Sequence, residues 1–230
     1  MVKGPLLSLA GAARRYGIGD KSVKALLPTD ITVEEGEFIC VAGPSGSGKT
    51  TLLNLMGLLD LPTEGRVFIM GRDAGALSKG DRATLRRAVV GFVFQSLNLL
   101  PVLTARENVE YSLMVRKIGA DERNDRAKKA LASVGLSGKE DKFPRELSGG
   151  EQQRVAVARA IAPGTPLVIA DEPTANLDSV TGKELMELLY ELREREGRTF
   201  IFSSHDPMVI ERAERVVTLH DGAITKDITQ

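Results

Sequence analysis

Apolar runs of strand length alternate with amphipathic stretches along this chain, a pattern of α/β type. Leu6-Leu7-Ser8-Leu9, Val23-Lys24-Ala25-Leu26 and Ile31-Thr32-Val33, with a turn at Glu35-Gly36, predict an antiparallel β subdomain at the N-terminus. Phe38-Ile39-Cys40-Val41-Ala42, Val89-Val90-Gly91-Phe92-Val93-Phe94 and Leu167-Val168-Ile169-Ala170 are continuous apolar runs, suited to strands covered on both faces of a mainly parallel central sheet. Thr199-Phe200-Ile201-Phe202-Ser203 adds a further strand. Arg66-Val67-Phe68-Ile69-Met70 alternates toward another, turned at Gly71-Arg72-Asp73, and Val216-Val217-Thr218-Leu219 with Gly222-Ala223-Ile224 predicts a closing hairpin.

Helix signals fill the spaces between. Thr51-Leu52-Leu53-Asn54-Leu55-Met56 continues as a helix, and the capping spacing Ser78-Lys79-Gly80-Asp81 predicts one over 79–88. Thr104-Ala105-Arg106-Glu107 starts a helix carrying Val109, Leu113 and Val115 to about residue 117, and a charged helix over 121–134 stops at Gly135. Ser148 and Glu151 form a capping box on a helix to about Ile161. A helix over 179–196 presents Thr181, Leu185, Leu188, Leu189 and Leu192 as its buried stripe. Residues from 96 to about 160 thus form a helical subdomain inserted between two strands of the sheet. The connection Leu97-Asn98-Leu99-Leu100-Pro101-Val102-Leu103 leads into it and is unusually apolar, suited either to the subdomain core or to a groove for a partner.

Size and charge narrow the picture. At 230 residues the chain suits a single domain with a substantial core, and 31 basic against 31 acidic residues leave no net attraction to nucleic acid or anionic lipid. No apolar run approaches the ~18 residues of a membrane span. Lys3 followed by Pro5-Leu6-Leu7-Ser8-Leu9-Ala10-Gly11-Ala12-Ala13 has the outline of a signal peptide, but Ser8 and Gly11 break its core, so no cleaved leader is expected. The single cysteine, Cys40, lies inside an apolar run and reads as a core residue in a reducing compartment.

The candidate chemistry centres on Gly43-Pro44-Ser45-Gly46-Ser47-Gly48-Lys49-Thr50-Thr51, which fits G-x-x-x-x-G-K-[ST] between a strand and a helix. Glycines let successive N–H groups turn toward an anion, and the helix start adds the positive end of its dipole. Lys49 then reaches the β and γ phosphates, and the Thr50 hydroxyl suits Mg²⁺. Tyr16, between the first two apolar runs in a chain with ten aromatic residues and no tryptophan, either stacks on adenine or covers the sheet edge. Gln95 leaves the C-terminal end of a strand, where it either reaches Mg²⁺ or the attacking water, or bonds nearby backbone.

Asp171 and Glu172 end another strand. Asp171 is placed to hold Mg²⁺ through water opposite Thr50, and Glu172 to polarise water attacking the γ-phosphate. His205 follows the strand over 199–203 and would contact the same phosphate, whereas Asp178 can simply cap the helix after it. In Leu147-Ser148-Gly149-Gly150-Glu151-Gln152-Gln153-Arg154 the capping box leaves two glycines unexplained, since each costs up to about 1 kcal/mol in a helix. They bare a dipole-positive helix start, a second anion site that a second copy of the chain can fill.

With these motifs in this order, the chain resembles the ATP-binding-cassette ATPase subunits over essentially its whole length, as a P-loop NTPase of one domain, residues 1–230. The resemblance implies that Tyr16 stacks on adenine, Gln95 is the glutamine-loop residue, Glu172 the catalytic carboxylate and His205 the switch histidine. Asp178, in Ala175-Asn176-Leu177-Asp178, falls at a dimer interface. Two chains would sandwich two ATP molecules head to tail, each phosphate loop facing the partner's Ser148-Gly149-Gly150, with Glu151 beside them. Mg²⁺ would be held through Thr50, Gln95 and Asp171.

Gly57-Leu58-Leu59-Asp60, Phe94-Gln95 with Asn98-Leu99-Leu100-Pro101, and Asp171-Glu172-Pro173-Thr174 look most like the lipoprotein-releasing, macrolide-exporting and cell-division ATPases. Ala175 stands where that group more often has glycine, and Ser203-Ser204 precede His205 where a threonine is common. The expected partner is an integral membrane permease-type subunit, gripped by residues 96–109 on the cytoplasmic face of the inner membrane, with no nucleic acid. A soluble cassette ATPase of DNA repair or translation is the alternative, and it usually carries a long coiled-coil insertion, two fused cassettes or a basic surface, features this chain lacks.

Overall fold

The computed structural model describes residues 4–17 and 22–230, so Lys3 of the leader-like stretch lies outside the described residues. The chain divides into two compact units, Met1–Ala88 with Thr199–Gln230, and Val89–Arg198.

In the first unit a four-stranded antiparallel sheet runs in the order β2-β1-β4-β5, from β1 (Leu7–Tyr16), β2 (Val23–Val33), β4 (Glu64–Ile69) and β5 (Arg72–Asp73). The antiparallel subdomain is as expected, but two of its strands are longer than their apolar runs. β1 continues through Gly11, where the chain bulges: Gly11 adopts φ 55, its N–H donates to Asp30 Oδ1 at 2.8 Å, and the register shifts between Leu9 and Ala12. Tyr16 therefore ends β1 instead of lying in a connection. The two runs expected as separate strands over 23–26 and 31–33 are one strand. Pro28 is tolerated inside it because β2 is an edge of that sheet and the neighbouring Leu27 N–H turns away to the Gly222 carbonyl, at 2.8 Å.

The same unit carries β3 (Phe38–Ala42), with all five residues buried, paired in parallel with both β8 (Thr199–Ser204) and β9 (Arg215–His220). β9 turns back antiparallel into β10 (Ala223–Thr229), the expected hairpin. The helix α1 (Lys49–Met56) follows β3 and packs on β8, burying Leu52, Leu53, Leu55 and Met56, each worth about 1.5–3 kcal/mol. Phe38 packs its ring on those of Phe200 and Phe202, with centroids 6.0 and 4.9 Å apart. Cys40 lies fully buried in β3, and burial pushes its thiol up to about 12, so it is inert, a core residue as expected. Helix α2 (Lys79–Val89) takes in one residue that the apolar pattern had assigned to the next strand.

Arg215 fastens the closing hairpin to the rest of this unit. Its Nε and Nη2 donate to Asp227 on β10 at 2.8 and 2.7 Å, while Nη1 donates to Glu37 Oε1 at 2.9 Å and to the Thr32 carbonyl at 2.8 Å. The guanidinium holds the Asp227 carboxyl below the usual aspartate range. A depressed carboxylate pKa adds stability that is complete above about pH 4 and is lost as the pH falls through the lowered value. Asp227→Asn is accordingly expected to cost about 1 kcal/mol at pH 7 once solvent screening is allowed for, and less at about pH 3. Urea unfolding at the two pH values measures the difference.

In the second unit β6 (Val90–Val93) pairs in parallel with β7 (Leu167–Ala170), and the chain between them is helical: α3 (Ala105–Met114), α4 (Ala120–Ser133) and α5 (Gly149–Ile161). α5 packs against both α3 and α4 and is buried nearly all round, through Val155, Ala156, Val157, Ala158, Ala160 and Ile161. A Cβ on Gly91 would lie 2.3 Å from the Ala160 carbonyl oxygen, so the strand admits only glycine where α5 crosses it. α3 stops three residues short of the expected end, because the chain turns over at Lys117, with φ 60. α4 stops as expected at Gly135, with φ 76.

Asn108, buried on α3, accepts from the Leu100 N–H at 2.7 Å and donates to the Leu100, Leu103 and Thr104 carbonyls. It thereby organises the apolar connection, which splits its residues. Leu97, Leu99 and Leu103 are half-buried, while Leu100 and Val102 are 39 and 78% exposed. Helix α6 (Ser179–Glu196) buries Gly182, Leu185, Met186, Leu189 and Leu192. Thr181 and Leu188 of the expected stripe are only half-buried, since the 3.6-residue period starting from Gly182 places Met186 on the core face ahead of them. A short helix α7 (Pro207–Ile210), not expected from the pattern, is capped by Asp206 in the first unit. No helix of the described residues is long and apolar enough to cross a membrane.

Candidate functional site

The first unit builds the phosphate loop. β3 delivers the chain at Ala42, and Gly43, Gly46 and Gly48 all take positive φ, of 151, 80 and 104. A Cβ on Gly43 would lie 2.3 Å from the Leu219 carbonyl oxygen and 2.7 Å from Ser47 Oγ, and one on Gly48 would lie 2.5 Å from the Ala25 carbonyl. These glycines are therefore fixed by packing as well as by turn geometry. Gly48 is the N-cap of α1 and offers no side-chain acceptor, so the first N–H groups of that helix have no capping side chain. Lys49, buried at the first helical position, lays its ammonium back across the loop, donating to the Gly43 and Pro44 carbonyls at 2.9 and 3.1 Å.

Ser47 Oγ is buried with no hydrogen-bond partner, an orphan donor facing into the turn. Uncapped N–H groups, a buried lysine, an orphan hydroxyl and three glycines at positive φ suit a polyphosphate. The exposed Thr50 hydroxyl, next on α1, suits the Mg²⁺ that accompanies one.

Tyr16 stands at the end of β1 with its ring 39% exposed. Its hydroxyl donates to Asp60 Oδ2 at 3.0 Å, and the Arg14 guanidinium lies 4.7 Å above the ring centroid while ion-pairing with the same Asp60 at 2.8 Å. The ring is thus held at its rim and from one face. Nothing in the sequence marked Arg14 as part of this arrangement, apart from a basic residue two places before the tyrosine on the same strand face. His205, exposed, directly follows β8, and the next N–H, that of Asp206, donates to Ser204 Oγ at 3.0 Å.

The second unit places its candidates at the C-terminal ends of β6 and β7. Val93 lies opposite Ala170 in the parallel ladder and Asp171 N–H donates to the Val93 carbonyl at 2.9 Å, so Gln95, Asp171 and Glu172 leave adjacent strands at one edge. Asn176 Nδ2 reaches from the loop after Glu172 to the Gln95 carbonyl, at 3.3 Å. Glu172 itself sits at φ 45, a left-handed conformation costly for a residue with a Cβ, and such strain collects where a side chain must be aimed. Asp178 caps α6, accepting from the Val180 and Thr181 N–H groups at 3.1 and 3.0 Å and from the Thr181 hydroxyl at 2.7 Å. That hydroxyl bond in particular holds the carboxyl below its ordinary range.

At the start of α5 the capping box is complete. Ser148 Oγ accepts from Glu151 N–H at 3.3 Å, the Glu151 carboxylate accepts from Ser148 N–H at 2.8 Å, and Lys139 ion-pairs with Glu151, the largest cause of its lowered pKa. The two glycines behind Ser148 differ. A Cβ on Gly150 would lie 2.5 Å from Thr181 Cγ2, so α6 requires that glycine, whereas a Cβ on Gly149 would meet nothing within 4 Å. Among the described residues nothing gives a reason for Gly149 to lack a side chain.

Comparisons with known proteins bear on the family and the fold. The family profile described as ABC transporter matches residues 26–175. An ABC transporter ATP-binding protein of Methanocaldococcus jannaschii, MJ0796, is 42% identical over 226 residues, covering 96% of each chain. The macrolide export ATP-binding/permease protein MacB of Hyphomonas neptunium is 45% identical over 97% of this chain, which spans only 34% of that longer protein. Among solved structures, the dimeric post-hydrolysis state of the MJ0796 cassette bound to ADP and Pi superposes with a TM-score of 0.89 at 40% identity, over 97% of this chain and 98% of that one. CbiO1 of Clostridium perfringens, part of a transporter complex, follows at 26% identity and a TM-score of 0.88, covering 98% of this chain and 89% of its own.

Proposed function

We propose that this chain, which belongs to the ABC transporter family and to its lipoprotein-releasing, macrolide-exporting and cell-division group, is the ATP-driven motor of a membrane complex. It is an ATPase with the ABC fold, and it binds ATP. In our reading residues 1–230 act as one ATPase domain with the helical segment from 96 to about 160 inserted in it. Two copies close on ATP and reopen after hydrolysis, as a related cassette dimerises. Closure on the cytoplasmic face drives a permease-type membrane subunit, and MacB, which carries its ATP-binding and permease parts in one protein, supports that arrangement.

Each unit's geometry supports the following residue roles. The 43–51 loop grips the phosphates through N–H groups and Lys49, and Tyr16 offers its free face to the adenine ring, worth about 1–3 kcal/mol. Thr50, Gln95 and Asp171 would hold Mg²⁺, which when bound offsets the charge that builds on the phosphate oxygens. Glu172 accepts the proton of the attacking water, and His205 holds the γ-phosphate end. Ser148, Gly149, Gly150 and Glu151, with Asp178, meet the nucleotide held by the other copy. The unexplained bareness of Gly149 is the observation that carries the two-copy reading.

The exposed apolar side chains Leu100, Val102, Tyr111, Met114 and Val115, on the connection and on or just after α3, supply the surface that a membrane subunit would grip. The reading is tested by tagging the chain in its native cells and purifying it from solubilised membranes. An integral membrane protein in fixed ratio, raising the ATPase rate of the chain when recombined with it, is the expected result. Recovery of the chain free of any membrane protein, or with a nucleic-acid-associated assembly, would replace this function with the soluble alternative.

A further inference from the structure

We propose that Arg159 is a positioning residue for Gln95: its guanidinium clamps the turn that follows the glutamine and so fixes where that side chain starts. The inference rests on the catalytic reading of Gln95 given above. Arg159 lies on α5 amid the apolar residues Val155, Val157, Ala158, Ala160 and Ile161. Its Nη1 donates to the Asn98 carbonyl at 2.6 Å and its Nη2 to the Leu97 carbonyl at 2.5 Å. Among the described residues no carboxylate pairs with it, and burial alone pushes its pKa down. A half-buried cation with only carbonyl oxygens for partners gives up hydration without a countercharge and needs a return.

The two carbonyls belong to an unusual piece of backbone. Leu97 and Asn98 both adopt φ 51, two consecutive left-handed residues, neither of them glycine. A planar fork spanning successive carbonyls offsets that conformation in a way a single ammonium does not. The Leu97 N–H closes the turn on the Phe94 carbonyl at 3.0 Å, and Asn176 takes up the Gln95 carbonyl. Backbone on both sides of the Gln95 side chain is therefore held, from α5 on one side and from the Glu172 loop on the other. Without the fork the turn relaxes toward ordinary φ values and Gln95 moves with it.

Four variants test this. Arg159→Lys keeps the charge and loses the fork, so kcat for ATP hydrolysis should fall about tenfold while KM for ATP stays within twofold, since the phosphate loop is untouched. Asn98→Gly removes the conformational cost at one of the two residues. Combined with Arg159→Lys it should restore kcat at least threefold. Amide exchange should quicken in residues 95–99 of Arg159→Lys and stay unchanged in α1. A wild-type kcat in Arg159→Lys, a loss that Asn98→Gly does not relieve, or unchanged exchange in 95–99 would overturn the proposal. Gln95→Ala separates the two levels of argument: if it hydrolyses ATP normally, the catalytic reading of Gln95 falls, whereas a slow Gln95→Ala beside a normal Arg159→Lys overturns only the clamp.

Discussion

Glu172→Gln is expected to bind ATP as tightly as the wild type and to hydrolyse it 10²–10⁴ times more slowly, the range spanned by loss of general-base help. The substitution keeps the shape of the side chain and its hydrogen-bonding length while removing the proton acceptor. It also leaves the left-handed backbone at φ 45 no worse off, because glutamine meets the same restriction as glutamate. Binding without turnover should accumulate the closed pair of chains, so gel filtration in Mg-ATP should show a species of twice the mass that disperses when nucleotide is removed. A monomeric, fully active variant would move the base to another residue. A slow but monomeric one would leave Glu172 in place and remove the second copy from the mechanism.

The second large effect separates the two glycines of α5. Gly149→Val should leave the isolated chain folded with an unchanged unfolding midpoint, because nothing lies within 4 Å of a Cβ there and the position is the first of the helix. It should nonetheless cut hydrolysis by two orders of magnitude or more and abolish the ATP-dependent dimer, since the added methyls would occupy the space through which the partner's phosphates approach a dipole-positive helix start. Gly150→Ala should behave differently. Its Cβ, 2.5 Å from Thr181 Cγ2, forces α5 and α6 apart or rotates Thr181, at a cost of about 1–3 kcal/mol in the chain alone. Denaturant unfolding and an ATPase assay on both variants make the comparison. Equal stability losses in the two, or full activity in Gly149→Val, would mean that this helix start serves only its own fold.

Where local chemistry sets conformation, the sequence was legible. The phosphate loop, the capping boxes at Thr104 and Ser148 and the stop at Gly135 each depend on residues within a few positions of one another, and each stands where the pattern put it. Strand extent was less legible. Gly11 and Pro28 are breakers in isolation, and they become a bulge and an edge-strand residue only because Asp30 and Gly222, far along the chain, take up the N–H groups that local rules leave over. The candidate roles of Gln95, Asp171, Glu172 and His205 were visible as residue types at strand ends, whereas Tyr16 read as part of a connection. What holds Tyr16 and Gln95 there was not, since Arg14, Asp60, Asn176 and Arg159 act across 2 to 81 positions of sequence.

The sequence by itself determined that this chain binds a polyphosphate in a strand–loop–helix cradle, because glycine, lysine and threonine at that spacing carry the chemistry within nine residues. It determined as well the bare helix start behind Ser148. Only the tertiary structure decided why each glycine is bare: Gly150 yields to Thr181 of α6, while Gly149 yields to nothing among the described residues. A residue type can announce a missing side chain, but whether that space is filled from within or left for another molecule depends on which backbone folding brings alongside it.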